Sequence, residues 1–151
     1  MLPPLKFDFL RVPADPSPRY PKRRSVLIPA LSIRLFNKDD QNLFQPIKAL
    51  IDSGAGFSIF PVEVARLIGL TLEDDRIEEL QGINGVKFKG YLQDFILEVG
   101  GWKFNSFGFF TQANIVVPVL GREGFFSLFE VRLNLSKESI ELKAVVDHLK
   151  S

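Results

Sequence analysis

The stretch Lys48 to Pro61, KALIDSGAGFSIFP, places an ionisable Asp52 directly after an apolar run and directly before Ser53, Gly54, Ala55 and Gly56. Asp is a poor strand residue, and its carboxylate is costly to bury unless something hydrogen-bonds it. Two roles fit such a group. Either the carboxylate closes a turn, as an Asx or Ser motif would, or it stands at the mouth of a strand as a general acid or base. The chain offers little other chemistry. It has no Cys, which removes disulfides, thiol nucleophiles and thiolate metal sites. Its only histidine, His148, is near the C-terminus, and Ser58 in GFSIF lacks the second glycine of a nucleophile elbow, so a serine hydrolase is disfavoured. Gly54 and Gly56 are not followed by the Gly-Lys-Ser/Thr of a phosphate loop. The acidic run Glu73, Asp74, Asp75, Glu78 and Glu79 lacks the glycine and ligand spacing of a calcium loop and reads as solvent-facing loop. No metal or cofactor is expected.

The chain has 151 residues, fifteen of them Phe, and 19 basic against 18 acidic side chains, for a net charge of +1. That length suits one domain with a sizeable core, and the balanced charge gives no field to recruit nucleic acid. The cluster Arg19, Lys22, Arg23 and Arg24 reads as a solvated charge run beside the arm, with a small nucleic-acid or membrane-surface patch and a processing site as the alternatives. No apolar run reaches the ~18 to 20 residues that span a bilayer, and no basic-then-apolar leader opens the sequence, so a soluble cytoplasmic protein is expected.

The elements that must hold Asp52 are mostly strands. Six of the ten prolines precede Lys22, which makes residues 1–24 a proline-rich arm; its Leu5, Phe7, Phe9 and Leu10 suggest that it packs on the domain or on a partner. In SVLIPALSIRLF, Pro29 implies an edge strand or a bulge. IKALI is a short buried strand leading into Asp52. FPVEVARLIGL then changes to helical period, with Pro61 in the first turn, Val62, Ala65 and Leu67 to Ile68 on the buried side, and Gly69 as the stop. Asn84-Gly85 predicts a two-residue hairpin, Gly100-Gly101 a second turn, and Lys137-Glu138 a third. REGFFSLFEV is expected to form a short helix. The pattern predicts a mostly β, closed-barrel-like domain over residues 25–151 with one or two short helices.

A turn motif alone does not predict a second apolar strand about sixty-five residues on, ending VLGRE at Glu123. The three elements LIDSGA, GINGVKFKG and VPVLGREGFF, in this order, resemble the retropepsin-like aspartic proteases, the single-domain relatives of pepsin lobes found in retroviruses and in cellular genomes. The resemblance runs from about Ser25 to Leu142. It implies the acid-protease fold and an aspartic endopeptidase with Asp52 as the catalytic carboxylate, supported by Ser53, Gly54 and Ala55. Gly82, Ile83, Asn84 and Gly85 match the tip of a flap that covers the substrate. Gly121 and Arg122 match a structural pair near the site, in which the Arg ties the C-terminal helix to the active-site region. One catalytic Asp per chain implies a homodimer, in which two facing carboxyls share a proton and titrate as a pair while acting on a polypeptide. Neither nucleic acid nor membrane is implied as a partner. Retroviral members carry an Asp where this chain has Gly56, which leaves the partner of Arg122 open. The rival reading is a non-catalytic module that keeps the fold and uses the groove to bind a peptide or to dimerise. Whether the arm is a pro-segment is also open.

Overall fold

The computed structural model describes residues 2–43, 45–114 and 117–145; His148 lies outside the described residues. Twelve strands and one short helix follow each other along these residues. In the arm, β1 (Leu5–Asp8) and β2 (Leu10–Pro13) are consecutive, and β3 (Ser25–Ile28) runs into β4 (Ala30–Phe36) through Pro29. Pro29 breaks the run as its missing donor demands, and its carbonyl accepts the amide of Ile51 at 2.8 Å. β4 alternates as a half-buried strand should, with Leu31, Ile33 and Leu35 inward and Ser32 outward.

A six-stranded barrel carries the site. Its order is β4, β5 (Ile47–Ile51), β10 (Val119–Leu120), β6 (Ile59–Pro61), β9 (Trp102–Thr111) and β8 (Lys87–Val99), and β8 closes the ring by pairing with β4. Closure removes the open edges that an isolated sheet would expose. β8 does two jobs. Its second half, with Phe95, Ile96, Leu97 and Val99 buried, is barrel wall; its first half leaves the barrel and pairs with β7 (Ile77–Gln81) in a projecting hairpin. Gly100 and Gly101, both at positive φ, join Val99 to Trp102 in the expected two-residue turn.

The helix α1 (Val62–Leu67) begins after Pro61 and stops at Gly69, whose φ of 70° continues no helix. It buries Val62, Val64 and Ala65, while Leu67 is 65% exposed, so its inner face is rotated from the one expected. The acidic run is a 3-10 turn (Asp74–Arg76) followed by Glu78 and Glu79 on β7, exposed throughout but strand rather than loop at its end. No helix forms over REGFFSLFEV. Gly124 sits at φ 101° and the amides of Phe126 and Ser127 reach back five residues to Gly121 and Arg122, which winds the segment too widely for an α-helix before β11 (Phe129–Asn134) starts.

β11, β12 (Ser139–Ala144) and β1 form a separate sheet in the order β1-β12-β11, with Leu5 opposite Leu142 and Phe7 opposite Ile140. Leu2, Leu5, Phe7 and Phe9 pack against the core, so the start of the arm is held on the domain by strand pairing as well as by apolar contact. β2 pairs with β3, and residues 14–24 form the exposed loop of that ribbon, where Arg19 and Arg23 flank the Tyr20 ring. No helix among the described residues is long and apolar enough to cross a membrane.

The core between α1 and the barrel is aromatic. Phe110 is fully buried, with the Phe60 and Phe95 rings 5.6 and 5.9 Å away. Phe110→Ala should therefore cost about 3–5 kcal/mol by transfer and cavity terms together, read as a fall in the urea midpoint without a change in slope.

Candidate active site

Asp52 stands where two strands hand the chain over to a loop. β5 and β6 do not touch; β10 lies between them, parallel to β5 (Leu120 opposite Ile51) and antiparallel to β6 (Val119 opposite Ile59). The loop 52–58 must therefore cross the end of β10. Its first residue is fixed by the ladder, since the Asp52 amide donates to the Leu120 carbonyl at 3.0 Å. The carboxylate then answers the question its position raised. Oδ1 accepts the Gly54 amide at 2.9 Å and the Asp52 carbonyl accepts the Ala55 amide at 3.1 Å, so the side chain closes a turn. That bond orients the carboxyl without using it up: Oδ2 accepts nothing from the described residues, and the residue is half-buried rather than sealed. A Cβ on Gly54 would lie 3.1 Å from Oδ1, tighter than ordinary contact, which is a physical reason for glycine there.

The chain leaving β10 is zipped beneath this loop. Arg122 and Glu123 donate their amides to the carbonyls of Ala55 and Gly56, both at 2.9 Å, and Ser58 donates back to Glu123 at 3.3 Å. Two backbones packed this closely leave no space between them. A Cβ on Gly121 would meet the Phe57 carbonyl oxygen at 2.3 Å and the Ala55 oxygen at 2.9 Å. The Arg122 side chain completes the support, with Nη1 donating to the Ser53 carbonyl at 2.8 Å. The partner left open by the glycine at position 56 is thus the backbone of the Asp52 loop.

Two serines that sequence reasoning gave no role in this support hold the same junction. Ser58, 1% exposed, accepts the Gly121 amide on its hydroxyl at 3.1 Å, and Ser106 donates to the Gly124 carbonyl at 2.6 Å. Only the tertiary crossing makes them necessary; nothing local in GFSIF or FNSFG announces it. Ser58→Ala leaves the Gly121 amide buried without that acceptor and should cost about 1–3 kcal/mol in chemical denaturation.

Over the loop projects the β7–β8 hairpin. Its tip is a three-residue loop, Ile83-Asn84-Gly85, rather than the expected two-residue turn. The Gly82 amide bonds the Val86 carbonyl, the Gly85 amide bonds the Gly82 carbonyl, and Gly85 takes φ 81°. The Asn84 side chain accepts the Val86 amide at 3.0 Å, a local bond that favours this longer form. Ile83 at the tip is 96% exposed and Val86 60%.

Between the hairpin and the loop lies a cleft of about 570 Å3. It brings together Asp52, Gly54, Ala55, Gly82, Ile83 and Arg122 from the motifs, and adds Phe57, Ile59, Leu80, Phe88 and Val119 as apolar wall. Phe57 is fixed edge-on to Phe109, with centroids 5.0 Å apart. Ser53, Asn84, Gly85 and Gly121 shape the backbone around the cleft without lining it. A second cavity, of about 470 Å3 beside Asn37 and Gly69, has mixed charge; the Asn37 side chain at its rim is fully engaged with Ile68, Asp39 and Gln41. The cleft sets one oriented carboxylate beside an apolar wall, so that an apolar side chain held there would lie next to an acid or base.

Among solved structures, the chain is similar to a retropepsin-like aspartic protease from Rickettsia conorii, with 17% identity and a TM-score of 0.56 over 94% of this chain and 100% of that one. It is also similar to EIAV protease complexed with the inhibitor HBY-793, with 17% identity and a TM-score of 0.48 over 63% of this chain and 82% of that one. Simian foamy virus (mac) protease gives 16% identity and a TM-score of 0.39 over 62% and 87%. No family model matches the chain, and no curated protein matches it in sequence. The near full-length likeness to the Rickettsia protein shows that the fold is that of the retropepsin-like aspartic proteases, mostly β and closed as a barrel, as the three motifs led us to expect.

Proposed function

We propose that the chain is an aspartic endopeptidase that works as a homodimer, with Asp52 of each subunit facing the other across a two-fold axis. The observation that carries this reading is a half-buried carboxylate, Asp52, oriented by Gly54 and open on its second oxygen, in a cleft with an apolar wall beneath a hairpin. One such group cannot be both acid and base in the same step. Two, brought together by symmetry, share a proton: the ionised carboxyl takes a proton from water as it attacks the scissile carbonyl, and the protonated one donates to the carbonyl oxygen. The tetrahedral intermediate then collapses: the C–N bond breaks, the leaving amine takes the proton held by the pair, and a hydroxyl of the intermediate returns its proton to the pair as the new carboxyl group forms. The chemistry needs no metal or cofactor.

Gly82 and Gly85 would let the tip of the hairpin open for substrate, and the backbone over residues 82–85 would bond the substrate's main chain when closed. Ser53, exposed at the loop, would meet its symmetry mate. With no cysteine to form disulfides, a cytoplasmic setting suits the chain, and polypeptide is the only partner besides a second copy that the cleft calls for.

The test is digestion of an unstructured protein by the purified chain over a range of enzyme concentrations, with products read by mass spectrometry. The reading expects cuts between apolar residues, and specific activity that rises with concentration until the dimer saturates. A chain that sediments as a dimer, binds peptides and cuts none would be a binding module with this fold.

A further inference from the structure

We propose that Arg122 makes the cleft selective for peptides that carry an acidic side chain, Glu or Asp, close to the apolar residue that fills it; the inference deepens the proteolytic reading and rests on it. Among the described residues, three charged side chains line the cleft: Asp52, Glu79 and Arg122. Glu79 is compensated, since its Oε1 lies 3.6 Å from Lys87 Nζ on the facing strand. Asp52 is held by the Gly54 amide and is assigned to the chemistry. Arg122 has no such compensation. Among the described residues its guanidinium makes one bond, from Nη1 to the neutral Ser53 carbonyl, and no carboxylate lies within 4.0 Å of it.

The space in front of its other nitrogen is open. Nη2 lies over Gly56, 3.6 Å from where a Cβ on that residue would stand, so nothing of Gly56 fills the gap. A guanidinium offers five N–H donors in a planar fork that fits a carboxylate, and most of them point away from the single carbonyl already bonded. An extended peptide turns alternate side chains to opposite sides. One can enter the apolar wall of Phe57, Ile59 and Val119 while a neighbour reaches the guanidinium. Arg122 is solvent-exposed, so the gain is moderate and falls with salt.

The test uses a peptide that the enzyme cuts, and a set in which each Glu is replaced singly by Gln, above about pH 5.5 where Glu is ionised. At one position on each side of the scissile bond, the Gln peptide should lose about three- to tenfold in kcat/KM, mainly through KM, with the difference shrinking at high salt. Gly56→Asp supplies an internal carboxylate at a site that is not at positive φ and has room for a Cβ. In that variant the ratio of Glu to Gln peptides should fall to about one. Equal rates for every pair in the wild type, with cutting intact, would overturn the inference and leave the protease reading standing. So would a Gly56→Asp variant that keeps the ratio and instead shifts the sedimentation of the dimer, because Arg122 would then face the partner chain. If no peptide is cut, the proteolytic reading fails by itself, and anisotropy of the same labelled pairs reads the acid preference directly.

Discussion

Asp52→Asn should abolish peptide-bond cleavage while leaving the fold intact. The substitution keeps an oxygen to accept the Gly54 amide, so the one local bond of the side chain survives. The residue is only half-buried and its backbone amide stays in the β10 ladder, so the urea midpoint should move by no more than about 0.5 kcal/mol equivalent. Catalysis has no such tolerance. An amide can neither take a proton from water nor give one to the scissile carbonyl, and both members of the pair change at once in a homodimer of the variant. Loss of positioned acid–base groups costs on the order of 10²–10⁴ in rate, which puts the variant below detection in a digestion assay. A variant that still cuts at even a tenth of the wild-type rate would remove Asp52 from the mechanism.

Gly121→Ala should be the most destabilising single methyl in the site. The added carbon would stand 2.3 Å from the Phe57 carbonyl oxygen and 2.4 Å from the carbonyl carbon, neither of them the end of a flexible side chain. The two zipped segments would have to part, breaking the bonds that join Arg122 to Ala55 and Glu123 to Gly56 and the Ser58 anchor together. We expect a loss of at least about 3 kcal/mol, with activity lost as the Asp52 loop shifts. Gly101→Ala is the control. It has nothing within 4 Å of the new carbon and only the cost of φ 86°, about 1–2 kcal/mol, so equal destabilisation of the two would mean that the crossing at Gly121 is not tight.

The parts of this structure that were legible in the sequence are the local ones. A strand ending in Asp-Ser-Gly, a helix between Pro61 and Gly69 and a Gly-Gly turn at 100 and 101 each depend on residues within a few positions of one another. The β7–β8 hairpin was legible in place but not in length, because Asn84-Gly85 suits a two-residue turn and the Asn84 side chain tips the balance to three. The helical look of REGFFSLFEV failed for a tertiary reason. Gly124 sits at φ 101°, outside the helical region, and its carbonyl is held by the Ser106 hydroxyl from β9, a partner that lies on another strand. The pairing of β1 with β12 joins opposite ends of the chain, so no local pattern carries it. Ser58 was read as a failed nucleophile motif and is a structural acceptor, a role that only the crossing of β10 creates.

The most direct test of the account is to mix the two chains. Wild type and Asp52→Asn, combined in equal amounts at a fixed total concentration and left to exchange subunits, should give about a quarter of the wild-type activity, because only dimers with two Asp52 residues carry the pair. Half the activity would mean that each chain works by its own carboxylate, and the shared dyad would be wrong.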